Sequence, residues 1–470
     1  MPVWPAISYM PSDTIMQSQQ KELGSFSRPG ADTAYDEAIQ FLYSQLPMFS
    51  RVGAAAYKPG LDTTIELDRI FGHPHRHFKS IHIGGTNGKG STSHTLAAML
   101  QAQGYKVGLY TSPHLVDFRE RIRVNGEMIP RSAVTDFVER WRLSSSELHP
   151  SFFELTMMMA FDWFARQEVD YAVIEVGMGG RLDSTNIITP VATVITNISP
   201  DHMQFLGNTL PAIAKEKAGI IKSGIPVVIG EAEGDVRQVF EQRAAEVGTD
   251  IVFADDEALL LSADEAELSG FDCESDSPGH FHFALSGDYQ KANANTLLSA
   301  VAMLRRCGVR LDDEAVCRGF AKVEQLTGLR GRWTILSQRP LAICDTGHNE
   351  AGLRYNMTQL ERLMSRRPGA SLRMIMGFVA DKAIDHILGL LPRAAIYYIT
   401  QAAIPRALPA AELLKLATAA GLDCRLCPTP VEAWRMAVSE ANADDIIYIG
   451  GSTFVVADLL AWLDTEATQS

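Results

Sequence analysis

Apolar positions along this chain alternate between two periods. Between Asp32 and Gln45 the residues Ala38, Ile39 and Leu42, continued by Leu46, fall at helical spacing, and 62–71 reads as a second helix. A β-branched run, Ser80 to Ile83, then leads into Gly84-Gly85-Thr86-Asn87-Gly88-Lys89-Gly90-Ser91-Thr92, and from His94 to Gln103 the pattern is helical, with Leu96, Met99 and Leu100 on one face. Strand-like runs recur at 105–110, 171–176, 192–197 and 226–229, with helical patterns at 131–142, 152–166, 211–222 and 289–306. Strands alternating with helices predict a mostly parallel sheet covered on both faces, with ligands at the C-terminal strand ends. Residues 255–279 break the rhythm. They are acidic, show little apolar pattern and read as an exposed hairpin or insertion without chemistry. After 326–331 the alternation restarts, with strands at 341–344, 372–376, 394–400 and 445–449 and a last helix over 453–463. The division expected is an extension without regular structure over 1–32, a larger unit over 33–328 and a smaller one over 329–470.

Composition narrows the picture. The chain has 470 residues, 46% apolar and 21% charged, which suits a soluble globular protein of two ordinary domains. A net charge of −14 argues against nucleic acid or an anionic membrane as partner, so an anionic substrate needs local cations. No run reaches the length of a membrane span, and the first 28 residues lack a basic-then-apolar leader pattern. Six scattered cysteines fit a reducing cytoplasm. Cys424 and Cys427 form a single Cys-x-x-Cys with no second pair or histidine beside it, a poor basis for metal or redox chemistry.

The strand, glycine turn, lysine, hydroxyl and helix around Lys89 have the mechanical plan of a phosphate cradle. Glycines let backbone N–H groups turn inward toward phosphate oxygens, and a helix N-terminus adds roughly half a positive charge. Lys89 is placed for the β- and γ-phosphates and Ser91 for Mg2+, although Gly90 is an extra residue relative to the general pattern. Glu175 closes a strand ahead of a glycine-rich exit, where a metal-ligating acid belongs, the alternative being an acid at an edge strand. His202, at the next strand end, could ligate a metal, hold a substrate carboxylate or sit hydrogen-bonded at the surface. Lys217 lies on a helix face, ordinarily solvent-exposed. In the second unit Asp345 and His348 follow a strand, and Arg332 offers a cation suited to a polyphosphate.

Taken in order, these stretches resemble the folylpolyglutamate synthase and dihydrofolate synthase family, within the Mur-ligase-type ATP-dependent amide ligases. The resemblance covers about Tyr35 to Leu463. It rests on Ala55 to Leu61, Gly85 to Ser91, Thr111-Ser112-Pro113-His114-Leu115 with Glu120 to Arg123, Glu175 to Asn186, Asp201-His202, Glu216 to Ile220, Gly331-Arg332 and Asp345 to Asn349. It implies an α/β fold, with a P-loop NTPase-like Mur-ligase central domain followed by a smaller Rossmann-like C-terminal domain. It also implies an enzyme acting on dihydropteroate, folates and L-glutamate; a cytoplasmic location is expected, and a cleft enzyme of this size can work as a monomer. ATP and Mg2+ at two sites are the implied cofactors, with K+ a further candidate.

Residue by residue, the resemblance places Thr86, Asn87, Gly88, Lys89, Gly90 and Ser91 on ATP, joined by Asn293, Arg332, Asp345 and His348. Ser91, Glu175 and His202 match metal ligands. Lys217 matches a lysine that is carbamylated in the family, so that a cation becomes a carboxylate-like ligand; Lys89, His202 and Lys217 are thus the expected catalytic residues. Tyr57, Ser112, His114, Phe153 and Arg181 match positions around the pterin. The family's Asp-Gly-Ala-His-Asn reads Asp345-Thr346-Gly347-His348-Asn349 here, a departure expected to matter little. The expected enzyme is bifunctional, with a monofunctional folate-extending ligase or a non-catalytic ATP-binding protein as alternatives.

Overall fold

A computed structural model describes residues 33–46, 60–144, 146–266, 270–380 and 384–469. The expected extension before Thr33 and the loop residue Tyr57 lie outside the described residues. Eight strands form the first sheet: β1 (Lys79–Gly84), β2 (Val107–Tyr110), β3 (Ile122–Val124), β4 (Glu127–Met128), β5 (Tyr171–Glu175), β6 (Ala192–Ile195), β7 (Val227–Ile229) and β8 (Ile251–Phe253). Their order is β4-β3-β2-β5-β1-β6-β7-β8, with β3 and β4 antiparallel and the other strands parallel. A parallel strand covered on both faces must be apolar throughout, and β5 is buried over its whole length. Its Val173 packs with the helix Lys89–Ala102, while Ala172 and Ile174 pack with the helix Phe152–Arg166. Gly108 in β2 is what lets Phe164 approach, since a Cβ there would stand 2.8 Å from the ring.

The phosphate-loop helix starts at Lys89, five residues before its apolar periodicity begins. Glycine and hydroxyl residues are weak helix formers, so this first turn is held by burial of Ser91, Thr92 and Ser93 rather than by propensity. The acidic stretch also differs from expectation. It forms most of a three-stranded antiparallel sheet of β9 (Leu260–Glu265), β10 (Phe271–Ser275) and β11 (His280–Phe283). Phe271 and Cys273 of β10 face inward and join Phe281, Phe283 and Phe320 in the core.

The second sheet comprises β12 (Thr334–Gln338), β13 (Leu341–Cys344), β14 (Leu372–Met376), β15 (Ile396–Ile399), β16 (Asp423–Leu426) and β17 (Ile446–Gly450), in the order β12-β13-β17-β14-β15-β16. Only β12 runs antiparallel. Two apolar clusters of its own lie on its faces. Among the described residues no helix is long and apolar enough to cross a membrane.

Candidate active site

Register fixes the site. Ile83 lies opposite Glu175 and Gly84 opposite Ile195, so the C-terminal ends of β1, β5 and β6 open side by side. The loop leaving β1 is tied to the segment leaving β6: Thr86 N donates to Asn197 O at 2.9 Å, Asn87 N to Asn197 Oδ1 at 2.9 Å, and Asn87 Nδ2 to Ser199 Oγ at 3.1 Å. Gly85 and Gly88 have positive φ (133° and 84°). A Cβ would stand 1.9 Å from Thr196 Oγ1 at Gly85 and 2.3 Å from Asn293 Oδ1 at Gly88, so only glycine permits these approaches. Lys89 folds back over the loop, its Nζ donating to Gly85 O (3.1 Å) and Thr86 O (2.9 Å). Ser91 Oγ accepts from Gln290 Nε2 at 3.2 Å, and Gln290 Oε1 in turn accepts from Asn293 Nδ2 at 2.8 Å.

Glu175 is buried, with Oε2 accepting from Ser112 N at 2.9 Å. Burial raises its carboxyl above the ordinary range, against the pull of Lys89, the Ser112 amide and Arg332. Lys217 is not exposed as its helix position suggests. It is buried, donates to Gly85 O at 2.7 Å, and is pushed down to about 7 by burial and then by the charge of Lys89. His202 stands in the left-handed region (φ 48°). Asp201 Oδ2 lies between His202 Nε2 (3.8 Å) and His348 Nε2 (4.0 Å), linking the two units.

The second unit closes over this edge. Asn349 Nδ2 donates to Asn87 Oδ1 at 2.9 Å while its Oδ1 caps the following helix through Gly352 N. Asp345 is turned inward. Its Oδ2 accepts from Tyr289 and from Trp333 N, and its Oδ1 from Gly347 N and Asn356 Nδ2, all at 2.7–2.8 Å. Arg332 extends toward the phosphate loop, its Nη2 3.3 Å from where a Cβ of Gly90 would stand. Thr86, Asn87, Gly88, Lys89, Gly90, Ser91, Glu175, His202, Asn293, Arg332, Asp345 and His348 all line one cleft of about 1440 Å3.

Of the positions matched to the pterin, Ser112 lines this cleft and Phe153 lies under its wall residue Gly177, its ring 2.4 Å from the site of a Cβ. His114 accepts at Nδ1 from Arg121 Nε (2.7 Å) and meets the Tyr43 hydroxyl at Nε2 (3.3 Å); burial and then Arg121 hold it well below the ordinary imidazole range, hence neutral. Arg121 also sits over the Phe152 ring, which stacks on Tyr43. Arg181 is not brought in. It is half-exposed and paired with Glu216 at 3.0 Å. Sequence reasoning missed Gln290, Tyr289, the role of Arg121 and the bridging role of Asn349; Arg121 lay within the Glu120–Arg123 stretch, and Asn349 carried a signal as an N-cap ahead of Glu350.

A phosphate-type loop on one α/β unit, facing a cation and a histidine from a second, is the arrangement of a two-domain nucleotide-dependent ligase. Two family models match: the Mur ligase middle domain over residues 83–303 and the Mur ligase glutamate ligase domain over 331–453. The dihydrofolate synthase/folylpolyglutamate synthase of Bacillus subtilis (strain 168) is 30% identical over 439 residues, covering 91% of this chain and 98% of that protein. The folylpolyglutamate synthase of Lacticaseibacillus casei is 33% identical, covering 80% and 88%. Among solved structures, the Mycobacterium tuberculosis folylpolyglutamate synthase complexed with ADP superposes with a TM-score of 0.80 at 28% identity, covering 92% of this chain and 98% of that one. Escherichia coli FolC in complex with DHPP and ADP gives 0.78 at 28% identity, with the same coverage. The chain belongs to the folylpolyglutamate synthase/dihydrofolate synthase family of Mur-type ligases.

Proposed function

We propose that this protein is a bifunctional dihydrofolate synthase/folylpolyglutamate synthase. It joins L-glutamate to dihydropteroate, and to the γ-carboxyl of tetrahydrofolates, at the expense of ATP. The observation that carries the reading is the meeting of Lys89, Ser91 and Glu175 of one unit with Arg332 and His348 of the other around a single cleft, with Lys217 buried behind the loop on Gly85 O. The structure of a related bifunctional folylpolyglutamate synthase/dihydrofolate synthase holds Mn, AMPPNP and L-glutamate (TM-score 0.76, 27% identity, 92% and 98% coverage).

The residues present fit a nucleotide-borne divalent cation. Among the described residues no three His, Cys, Asp or Glu side chains form a ready cage, but Mg2+ asks for only one or two carboxylates beside phosphate oxygens and water. Glu175 would supply a buried carboxylate, Ser91 a hydroxyl and His202 an imidazole, and Lys217, if carbamylated, would add a second anionic group. Mg2+ when bound offsets the negative charge of the polyphosphate. Lys89 contributes a fixed positive charge to the transferring phosphoryl group, and Arg332 reaches it from the second unit. Asp345, with its acceptor positions already in use, orients the 345–349 turn. The acceptor carboxylate attacks the γ-phosphate, giving an acyl phosphate and ADP. The glutamate amine then attacks the acyl carbon and phosphate leaves, carrying away one former carboxylate oxygen. Closure of the second unit keeps water from that intermediate. The six free thiols suit a cytoplasmic enzyme.

The test uses acceptor labelled with 18O in its carboxylate. Inorganic phosphate from wild-type protein should carry one 18O per amide formed, and Lys89→Ala should form no amide while keeping its circular dichroism spectrum. Unlabelled phosphate, or normal ligation by the variant, contradicts the mechanism.

A further inference from the structure

We propose that Thr346 is a positioning residue: its hydroxyl holds the Arg332 guanidinium over the phosphate loop. The proposal rests on Arg332 being the phosphate-facing cation of the reading above. Thr346 is buried and tied twice to one carbonyl, its N and its Oγ1 both donating to Gly331 O at 3.0 Å. With its proton given to that carbonyl, Oγ1 presents lone pairs outward and accepts from Arg332 Nη1. Nη2 of the same planar group then lies over Gly90, near Glu175 Oε1, which is 3.9 Å from the same Cβ position.

An arginine side chain has many rotamers, and fixing one costs entropy at the moment of binding unless the protein has already done so. Thr346 does this from within the neighbouring turn. A Cβ at Gly347 would stand 2.8 Å from Asp345 Oδ1 and 3.0 Å from Asn356 Nδ2, so a side chain there would press on the hydrogen bond that joins those two residues. The departure at 346–347, expected from sequence to matter little, thus places a new contact beside the residue that distinguishes this loop, Gly90.

The test measures binding of AMPPNP with Mg2+ by calorimetry, together with ATP kinetics where ligation is observed. Thr346→Val keeps the branched shape and removes the acceptor; it should weaken nucleotide binding about tenfold, the scale of one hydrogen bond to a charged group. Thr346→Ser should bind within about twofold of wild type. In an Arg332→Ala background Thr346→Val should have no further effect, because the two act as one. Wild-type binding by Thr346→Val, or losses that add in the double variant, overturns the proposal. Should Thr346→Val fail to fold, the same comparison is made between Thr346→Ser and Thr346→Ala, with equal binding by the two overturning it. Nucleotide binding is read without turnover, so absence of glutamate ligation would defeat the functional reading while leaving this result interpretable.

Discussion

Two lysines share one carbonyl in this site. Lys89 and Lys217 both donate to Gly85 O, and burial plus the neighbouring charge brings the Lys217 ammonium down to about 7. A neutral amine is what reacts with carbon dioxide, and the carbamate so formed reverses the sign of the charge beside Lys89. Lys217→Ala should therefore lose ligation and regain it when short carboxylic acids are supplied; full activity without any additive contradicts the role. Below about pH 7 the amine becomes protonated, so activity should fall there in the wild type and recover with bicarbonate. Gly85 makes a sharper steric prediction. With φ 133° and Thr196 Oγ1 in the Cβ position, Gly85→Ala should cost more than about 3 kcal/mol in urea unfolding. Gly224→Ala, also at positive φ but with nothing within 4 Å, should cost about 1 kcal/mol. Equal costs would show that the loop is not held where described. The importance of Lys217 was not legible in its own neighbourhood, since helical spacing says nothing of a carbonyl 132 positions away.

Three elements around the loop each bury a neutral histidine. His82 in β1 meets Thr185 Oγ1 at 2.9 Å, and His94 in the loop helix meets Thr327 Oγ1 at 2.8 Å. Burial, aided by Lys222 and Arg123 respectively, brings each down to about 3, and His114 is lowered by burial and Arg121. In the unfolded chain all three take up protons below about pH 6.5. The stability tied to their neutral forms is therefore complete above that pH and is lost as pH falls below it, for His82 and His94 down toward 3, about 2 kcal/mol each by pH 5. Unfolding free energy should decline from pH 7 to 5.5, and a His94→Gln variant should show a shallower decline; identical slopes would contradict the assignment. Strand and helix positions were largely legible at this scale because the periodicities are strong. β3, β4, β8, β12 and β16 were not: the first three are only two or three residues long, β12 is a half-buried edge and β16 is Asp-Cys-Arg-Leu with partly exposed side chains. The first turn of the loop helix and the inner face of β10 were likewise hidden, being set by burial against distant elements.

At the scale of the molecule, the small antiparallel sheet acts on domain arrangement. Glu265 at the end of β9 pairs with Arg362 (3.4 Å) on the helix Glu350–Ser365 of the second unit and with Arg366 (2.8 Å) at that helix's C-cap, and Arg362 also pairs with Asp288 (2.8 Å). Single exposed pairs contribute little, but these four residues form one network between the two units. Glu265→Lys should enlarge the radius of gyration measured by X-ray scattering at low salt and have less effect at high salt; an unchanged radius would show that other contacts hold the units. Two domains and one cleft could be read from the chain, whereas this bracing could not, because it pairs an acidic run with arginines about 100 positions away. What the cleft does is measured most directly by ADP release with MgATP and L-glutamate, comparing 7,8-dihydropteroate with tetrahydrofolate and identifying products by mass. Turnover of both, each gaining one glutamate residue, is the result predicted. Turnover of tetrahydrofolate alone would contradict bifunctionality and reduce Phe153 to a core aromatic, and turnover of neither would contradict ligation itself.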